Sequence, residues 1–325
     1  MTATTRIDFD LAEFLVGAAT RAPSVHNTQP WRFVHRPDGD VELWADPRRG
    51  LPTVDPTGRE LIISCGAALA TLMLGVRWLG HQPWVRHWPD PAQPALVAQV
   101  AMGPAYETST LELDMFATVL DRHTHRGPFD DVPVARGLLV RLRRLVSRAG
   151  CRAVVLDDDH TLRQVAQLTA RAQRAQERQP TMLAELNRWL RPPGSADRDG
   201  ITKVAEGIDT GPGRFTPRAL GSDAPTGTDV PPGHRWPTTV VLTTGRDDPR
   251  AWLRAGQALQ RMLLHAAHYG VHAAIYTQPL EIPAARAQLG HLAGGGHPQM
   301  LFQLGHTEGG SSTARRPPAQ VLTAG

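Results

Sequence analysis

The stretch Ala22-Pro23-Ser24-Val25-His26-Asn27-Thr28-Gln29-Pro30-Trp31 decides how the rest of the chain is read. Two prolines and a run of short polar side chains predict a rigid loop, not a helix or strand. Before it, Leu11, Phe14, Leu15 and Ala18 recur at i, i+3, i+4 and i+7, with Asp10 and Glu13 in capping-box positions, which predicts an amphipathic helix. After it, Trp31, Phe33 and His35 alternate as a strand, and Val41–Trp44 follows the turn signal Pro37-Asp38-Gly39. So placed, Ser24, Asn27 and Gln29 have two readings. They satisfy a helix-capping turn, or they face a ligand.

Further along, a second helix is expected from about Glu60, with Leu69, Leu72, Met73 and Val76 on one face, and a buried strand over Ala95 to Met102. The second half repeats this grammar, with a helix near Ala135–Arg148, a strand at Arg152–Leu156, helices from Thr161 to about Leu190 and a strand at Val240–Thr243. The helix expected over Trp252–His268 has Leu259, Met262, Leu263 and Ala266 in the spacing of the earlier one. Placing Gly66 on Gly256 also matches Ala68 with Ala258, Leu69 with Leu259, Leu74 with Leu264 and Gly80 with Gly270, and an apolar strand, Met300–Gly305, follows. The economical reading is an α+β fold made of a duplicated unit, with halves at 1–118 and 119–325. Residues from about 191 to 237, crowded with Pro, Gly, Asp and Thr, fit neither unit and read as a lid or a disordered insertion.

Bulk properties narrow the class. With 325 residues and 41% hydrophobic content, the chain has room for two packed units and is not disordered throughout. Its two cysteines suit a reducing, cytoplasmic setting better than a secreted one. No apolar leader opens the chain, and its longest apolar helix, Leu61 to Leu79, is interrupted by Ser64, Arg77 and glycines, so no membrane span is expected. The net charge is +4. Even so, the densest basic run, Arg141 to Arg152, backs onto Leu138, Leu142 and Leu145 with no interleaved aromatics, which reads as a solvated helix face and not a nucleic-acid surface.

Two further segments bear on chemistry. In Arg122-His123-Thr124-His125-Arg126-Gly127-Pro128-Phe129, an extended backbone would aim Arg122, Thr124 and Arg126 at one spot, which suits a phosphate; a solvated charged turn is the other reading. Arg315-Arg316-Pro317-Pro318 forms a basic tail. Among fourteen histidines, His123 with His125 and His265 with His268 have ligand-like spacings, but no third ligand converges and no metal is expected. Cys65 reads as a small buried residue, Cys151 stands alone, and neither suggests a metal site.

Together these segments resemble the FMN-dependent nitroreductases. APSVHNTQPW looks like their PSxxNxQPW signature, RHTHRGPF is similar to the basic segment that opens those proteins and holds the FMN phosphate, and RRPP resembles their C-terminal basic element. The order is unusual: the loop lies in the first half and the basic segment opens the second. Only Arg6 stands where the first half's basic segment should be, and Arg148-Ala149-Gly150-Cys151-Arg152 replaces the second half's loop. This arrangement resembles the fused Acg-type members, as do Asp55-Pro56-Thr57-Gly58-Arg59-Glu60 leading into Ser64-Cys65-Gly66 and the tail Thr313-Ala314-Arg315-Arg316-Pro317.

The resemblance implies one FMN at the seam of a monomeric pseudo-dimer, with a lid near Gly200–Gly213. It implies that Arg122, Arg126 and Arg316 hold the phosphate with Thr124 nearby, Arg315 being the weaker candidate. Pro23, Ser24 and Asn27 would meet the flavin, Gln29 would brace the loop, and Thr277 and Gln278 would lie near its hydride-bearing nitrogen. The implied activity is hydride transfer from NAD(P)H to a quinone, nitro compound or similar acceptor. The alternative is a protein that only sequesters FMN beneath the lid.

Overall fold

Both strand signals after the loop form and pair with each other: β1 (Trp31–His35) lies antiparallel to β2 (Val41–Ala45). The computed structural model describes residues 6–202, 214–215, 234–307 and 313–325. Its first half continues from α1 (Phe9–Ala19), β1 and β2 to α2 (Arg59–Trp78), β3 (His81–His87), β4 (Leu96–Ala105) and α3 (Thr110–Ala117). The second runs through α4 (Arg136–Arg148), β5 (Cys151–Leu156), α5 (Asp159–Glu177), α6 (Pro180–Asn187), β6 (Leu190–Arg191), β7 (Ile201–Thr202), β8 (Thr238–Thr244) and α7 (Pro249–Ala267). It ends with β9 (Val271–Ile275), α8 (Pro283–Leu292), β10 (His297–His306) and β11 (Leu322–Ala324).

One sheet has the order β11-β1-β2-β4-β3, the other β5-β8-β10-β9. With β11 set aside, the two orders correspond strand for strand, and every pair within them is antiparallel. In both units a helix precedes the first strand and a long apolar helix links the second to the third. The long helices α2 and α7 pack on each other at the centre, each against its own sheet. By length and composition α2 could cross a membrane, but 78% of its apolar window is buried inside the protein, as befits a core helix.

The crossing of α2 and α7 is built on the two glycines that align the halves. A Cβ on Gly66 would meet the Leu253 carbonyl oxygen at 2.2 Å, and one on Gly256 would meet that of Ile63 at 2.0 Å. The offset from 66 to 256 equals that from 63 to 253, so one contact maps onto the other when the helices exchange places. A side chain at either position would hold the backbones apart.

Several elements differ from expectation, among them α3 and α8, which form where no helix is expected. The first helix is capped by Asp8 and not by Asp10: the Asp8 carboxylate accepts from Leu11 N at 2.8 Å. Its buried stripe is accordingly Ala12, Leu15, Val16 and Ala19, while Phe14 is 46% exposed beside Trp78 and Phe116. The strands β3 and β11, unmarked by strong alternation, lie at the two edges of the first sheet. Pro83 is tolerated in β3 because an edge strand has one side free of ladder bonds.

Candidate functional site

The loop of residues 22–31 is held in a costly shape. His26, Asn27 and Gln29 have φ of 47°, 53° and 50°, the left-handed region that non-glycine residues rarely adopt. Such strain persists only where surrounding contacts fix it, and it concentrates at functional sites. Here the contacts are explicit. Gln29 N donates to Ser24 Oγ at 3.0 Å, Asn27 Nδ2 donates to the carbonyls of Gly200 and Ala314 at 3.0 Å each, and Gln29 Nε2 donates to Arg198 O at 2.7 Å. From the tail, Arg316 N donates to Gln29 Oε1 at 2.8 Å.

No equivalent loop exists in the second unit. There α4 ends at Arg148 and β5 begins at Cys151, with Gly150 at φ 73° making the turn.

Of the two readings of the basic segment, the structure has the extended one. Thr124 bridges Ala273 of β9 in parallel, and His125 N donates to Ala273 O at 2.8 Å, which lays the segment along the outer edge of β9. Phe129 anchors its far end, so close to Gly305 of β10 that a Cβ there would lie 2.4 Å from the ring. Arg122 reaches across to the first half, where its Nη2 donates to the Arg21 carbonyl at 2.6 Å. The tail crosses as well: β11 pairs in parallel with β1, and buried Val321 and Leu322 fix it there. Three segments remote in sequence therefore meet at one place.

A small pocket opens at that meeting point, lined by Arg21, Arg122, His123, Thr124, Arg126, Thr313 and Arg315. Arg122 is only 4% exposed, and among the described residues its Nε and Nη1 have no hydrogen-bond partner; nor has the Nε of Arg315. Among the described residues no carboxylate pairs with any of the four arginines.

Buried cations without counter-ions are costly, and their proton affinities register it. Burial, then Arg21, brings Arg122 down to about 10. Burial, then Arg122, Arg21 and Arg126, holds Arg315 well below the usual arginine range, and burial lowers Arg126. Guanidinium donors, two threonine hydroxyls and no acid fit a phosphate group.

Beside the arginines, the His123 ring stacks on His272 with centroids 4.1 Å apart. Burial, followed by His123, His125, Arg122 and His306, pushes His272 down to about 4.

Of the residues singled out from sequence, Arg122, Thr124, Arg126 and Arg315 share this pocket, and Pro23, Ser24 and Asn27 stand in the loop beside it. The buried Oδ1 of Asn27 has no partner among the described residues. Arg316 does not line the pocket. Its Nη2 donates to Gln320 O at 2.6 Å and its backbone to Gln29, so it braces the loop and tail. Thr277 and Gln278 also lie outside the pocket lining, and the Gln278 carboxamide donates to Gln173 Oε1 at 3.3 Å. Sequence reasoning missed Arg21 and Thr313, whose only signal is adjacency to the motifs. Cys65 is fully buried, and burial raises its thiol far above the ordinary range. Among the described residues, no group of three or more His, Cys, Asp or Glu side chains could hold a metal ion.

Described residues of the stretch 191–237 touch this place from two sides. Residues 198–200 bind the loop, and Asp199 pairs with Arg49 and Arg191. Arg214 donates to Gly127 O and to Tyr276 Oη, with its guanidinium 4.4 Å from the Phe129 ring centroid. Residues 203–213 and 216–233, most of the expected lid, lie outside the described residues.

The model of the nitroreductase family matches residues 119–306, from the approach to the basic segment through β10. The chain belongs to the nitroreductase family. Among its relatives, a Mycobacterium tuberculosis protein (strain CDC 1551 / Oshkosh) named "Putative NAD(P)H nitroreductase" is 31% identical over 92% of this chain and 86% of its own. Another from that organism, "Putative NAD(P)H nitroreductase acg", is 30% identical over 98% of this chain and 97% of its own, so the similarity takes in both halves. Solved nitroreductases are more distant. One with bound FMN from Desulfitobacterium hafniense DCB-2 is 13% identical over 65% of this chain and 97% of its own, with a TM-score of 0.41. An FMN and NADPH-dependent one from sphigopyxis sp. strain HMH is 16% identical over 64% and 97%, with a TM-score of 0.39.

Proposed function

We propose that the two matched units of this nitroreductase-family chain act as a monomeric pseudo-dimer with one FMN at their seam, and that the protein passes hydride from NAD(P)H to a quinone, nitro compound or similar small acceptor. One observation carries the reading: loop, basic segment and tail converge on a pocket of guanidiniums that have no counter-ion among the described residues. The missing loop after α4 accounts for a single site, since the second seam lacks that part.

Bound FMN would supply the hydride chemistry itself. Arg122, Arg126, Arg315 and Thr124 would hold its phosphate. Pro23, Ser24 and the free Oδ1 of Asn27 would meet the ring system, while Gln29 and Arg316 keep the loop in its strained shape. Thr277 and Gln278, just past β9, remain the proposed donors near the reacting nitrogen. Because orientation and charge are fixed before the cofactor arrives, the protein has little reorganisation to do on binding. Two free, buried thiols fit a reducing, cytoplasmic setting.

A second reading, an FMN-sequestering protein, is favoured by the insertion. Its described residues are tied to the loop through Arg198 and Gly200 and to the basic segment through Arg214, as suits a cover over the site.

Anaerobic titration of the flavin-loaded protein with NADH and NADPH separates the two. Bleaching of the visible band, restored by a quinone or nitroaromatic, is the expected result. A bound flavin that stays oxidised under both nicotinamides would overturn the oxidoreductase reading in favour of sequestration.

A further inference from the structure

We infer that Arg21 is a fourth ligand of the anion in this pocket, and that the anion it helps to hold ties the first half of the chain to the second. Only the identity of the ligand as a phosphate monoester rests on the function proposed above.

Arg122, Arg126 and Arg315 all come from the second half, on the segment along β9 and the tail after β10. Arg21 alone comes from the first, between the end of α1 and the strained loop. Its backbone is pinned inside the cluster, because its carbonyl accepts the bond from Arg122 Nη2. Arg21 lines the same pocket, and its charge acts on both Arg122 and Arg315. No carboxylate among the described residues answers it. Across the seam, then, the charge of one guanidinium opposes those of Arg122 and Arg315. Unliganded, this contact between the halves is repulsive. An anion with two charges reverses its sign, since each guanidinium gains an ionic hydrogen bond and the mutual repulsion is offset. The pocket is thereby a joint as well as a binding site, closed by its ligand.

Thermal unfolding of the full chain with added inorganic phosphate, at constant ionic strength, reads this directly. The wild type is expected to rise in midpoint with phosphate. Arg21→Gln should need about tenfold more phosphate for the same rise, from one lost ionic hydrogen bond, and Arg21→Lys should fall between them. In parallel, Arg21→Gln should weaken FMN binding by a similar factor and leave riboflavin, which lacks the phosphate, unchanged. An Arg21→Gln protein with the wild-type phosphate response overturns the inference, as does a wild type that phosphate does not stabilise. If the Gln variant fails to fold, the Lys variant is judged by the same two responses. Should phosphate act through Arg21 while FMN does not bind, the proposed function fails and this inference stands. The reverse pattern, FMN binding that is indifferent to Arg21, fails this inference alone.

Discussion

Replacing Gly256 with alanine pits local preference against tertiary contact, and the two predict opposite signs. Within an isolated helix, Gly→Ala stabilises by up to about 1 kcal/mol, because glycine loses more backbone freedom on folding. At the α2–α7 crossing, however, the new Cβ would sit 2.0 Å from Ile63 O and 2.9 Å from Ala67 N, whereas ordinary contact begins near 3.4 Å. The neighbours are backbone atoms and cannot rotate away, so the helices must separate by roughly 1 Å or more, and their interdigitated side chains lose contact along the crossing. Overpacking of this kind costs about 1–3 kcal/mol and sometimes more; with the contact this short we expect a net destabilisation of about 3 kcal/mol in urea unfolding.

Gly66→Ala should behave alike, with its Cβ 2.2 Å from Leu253 O. Because one separation relieves both clashes, the double variant should cost clearly less than the two singles added. Gly245→Ala, exposed and with nothing within 4 Å of its Cβ, is the control and should change stability by less than about 0.5 kcal/mol. If Gly256→Ala matched that control, or stabilised the protein, the close crossing and the symmetric packing built on it would be refuted.

Other expectations follow from the buried charges. Arg122→Met should weaken FMN binding about tenfold to a hundredfold through lost ionic hydrogen bonds, yet leave the unliganded protein as stable as before or more so, since a buried unpaired cation is removed; equilibrium binding and unfolding together check both halves of the statement. Folding favours the neutral ring of His272, so between its ordinary value of 6.5 and the folded value of about 4 the unfolded chain binds the proton more readily. The stability this group confers is therefore complete above about pH 6.5 and lost as pH falls through that window. His123, His125, His306 and Arg122 face it, and His272→Gln should flatten the drop in thermal midpoint between pH 7 and pH 5; parallel drops in variant and wild type would sink the assignment. Asp247 accepts from Trp252, Gln299 and, through both carboxylate oxygens, from Arg286 at 2.7 Å. Asp247→Asn should cost about 2–3 kcal/mol in chemical unfolding, and an effect below 0.5 kcal/mol would show these bonds to be idle.

Much of this was readable in the chain because the deciding features are local. The offset between Gly66 and Gly256 aligned the halves, and the structure shows why both must be glycine: they fill the same crossing. Alternation at residues 122–126 leaves an extended, ligand-facing segment and a solvated turn both open, and pairing with Ala273 of β9 decides between them. What escaped notice depends on partners distant in sequence. Arg21 looks like the polar end of a helix until Arg122, 101 positions away, bonds to its carbonyl. Between Arg315 and Arg316 the family resemblance favours Arg316, whereas it is Arg315 that lines the pocket, because β11 docks against β1 and Gln29 catches the Arg316 backbone. Nor does composition announce the left-handed turns at His26, Asn27 and Gln29. They exist because Ser24, Gly200, Ala314 and Arg316 hold the loop from four directions.

The most direct test of the central claim is a count of FMN bound per chain, taken from the visible spectrum of purified protein after added FMN is dialysed to equilibrium. One FMN per chain, lost when Arg122 and Arg315 are both neutralised, is the predicted result. A protein that stays colourless and takes up no FMN would contradict the account, whatever else it bound.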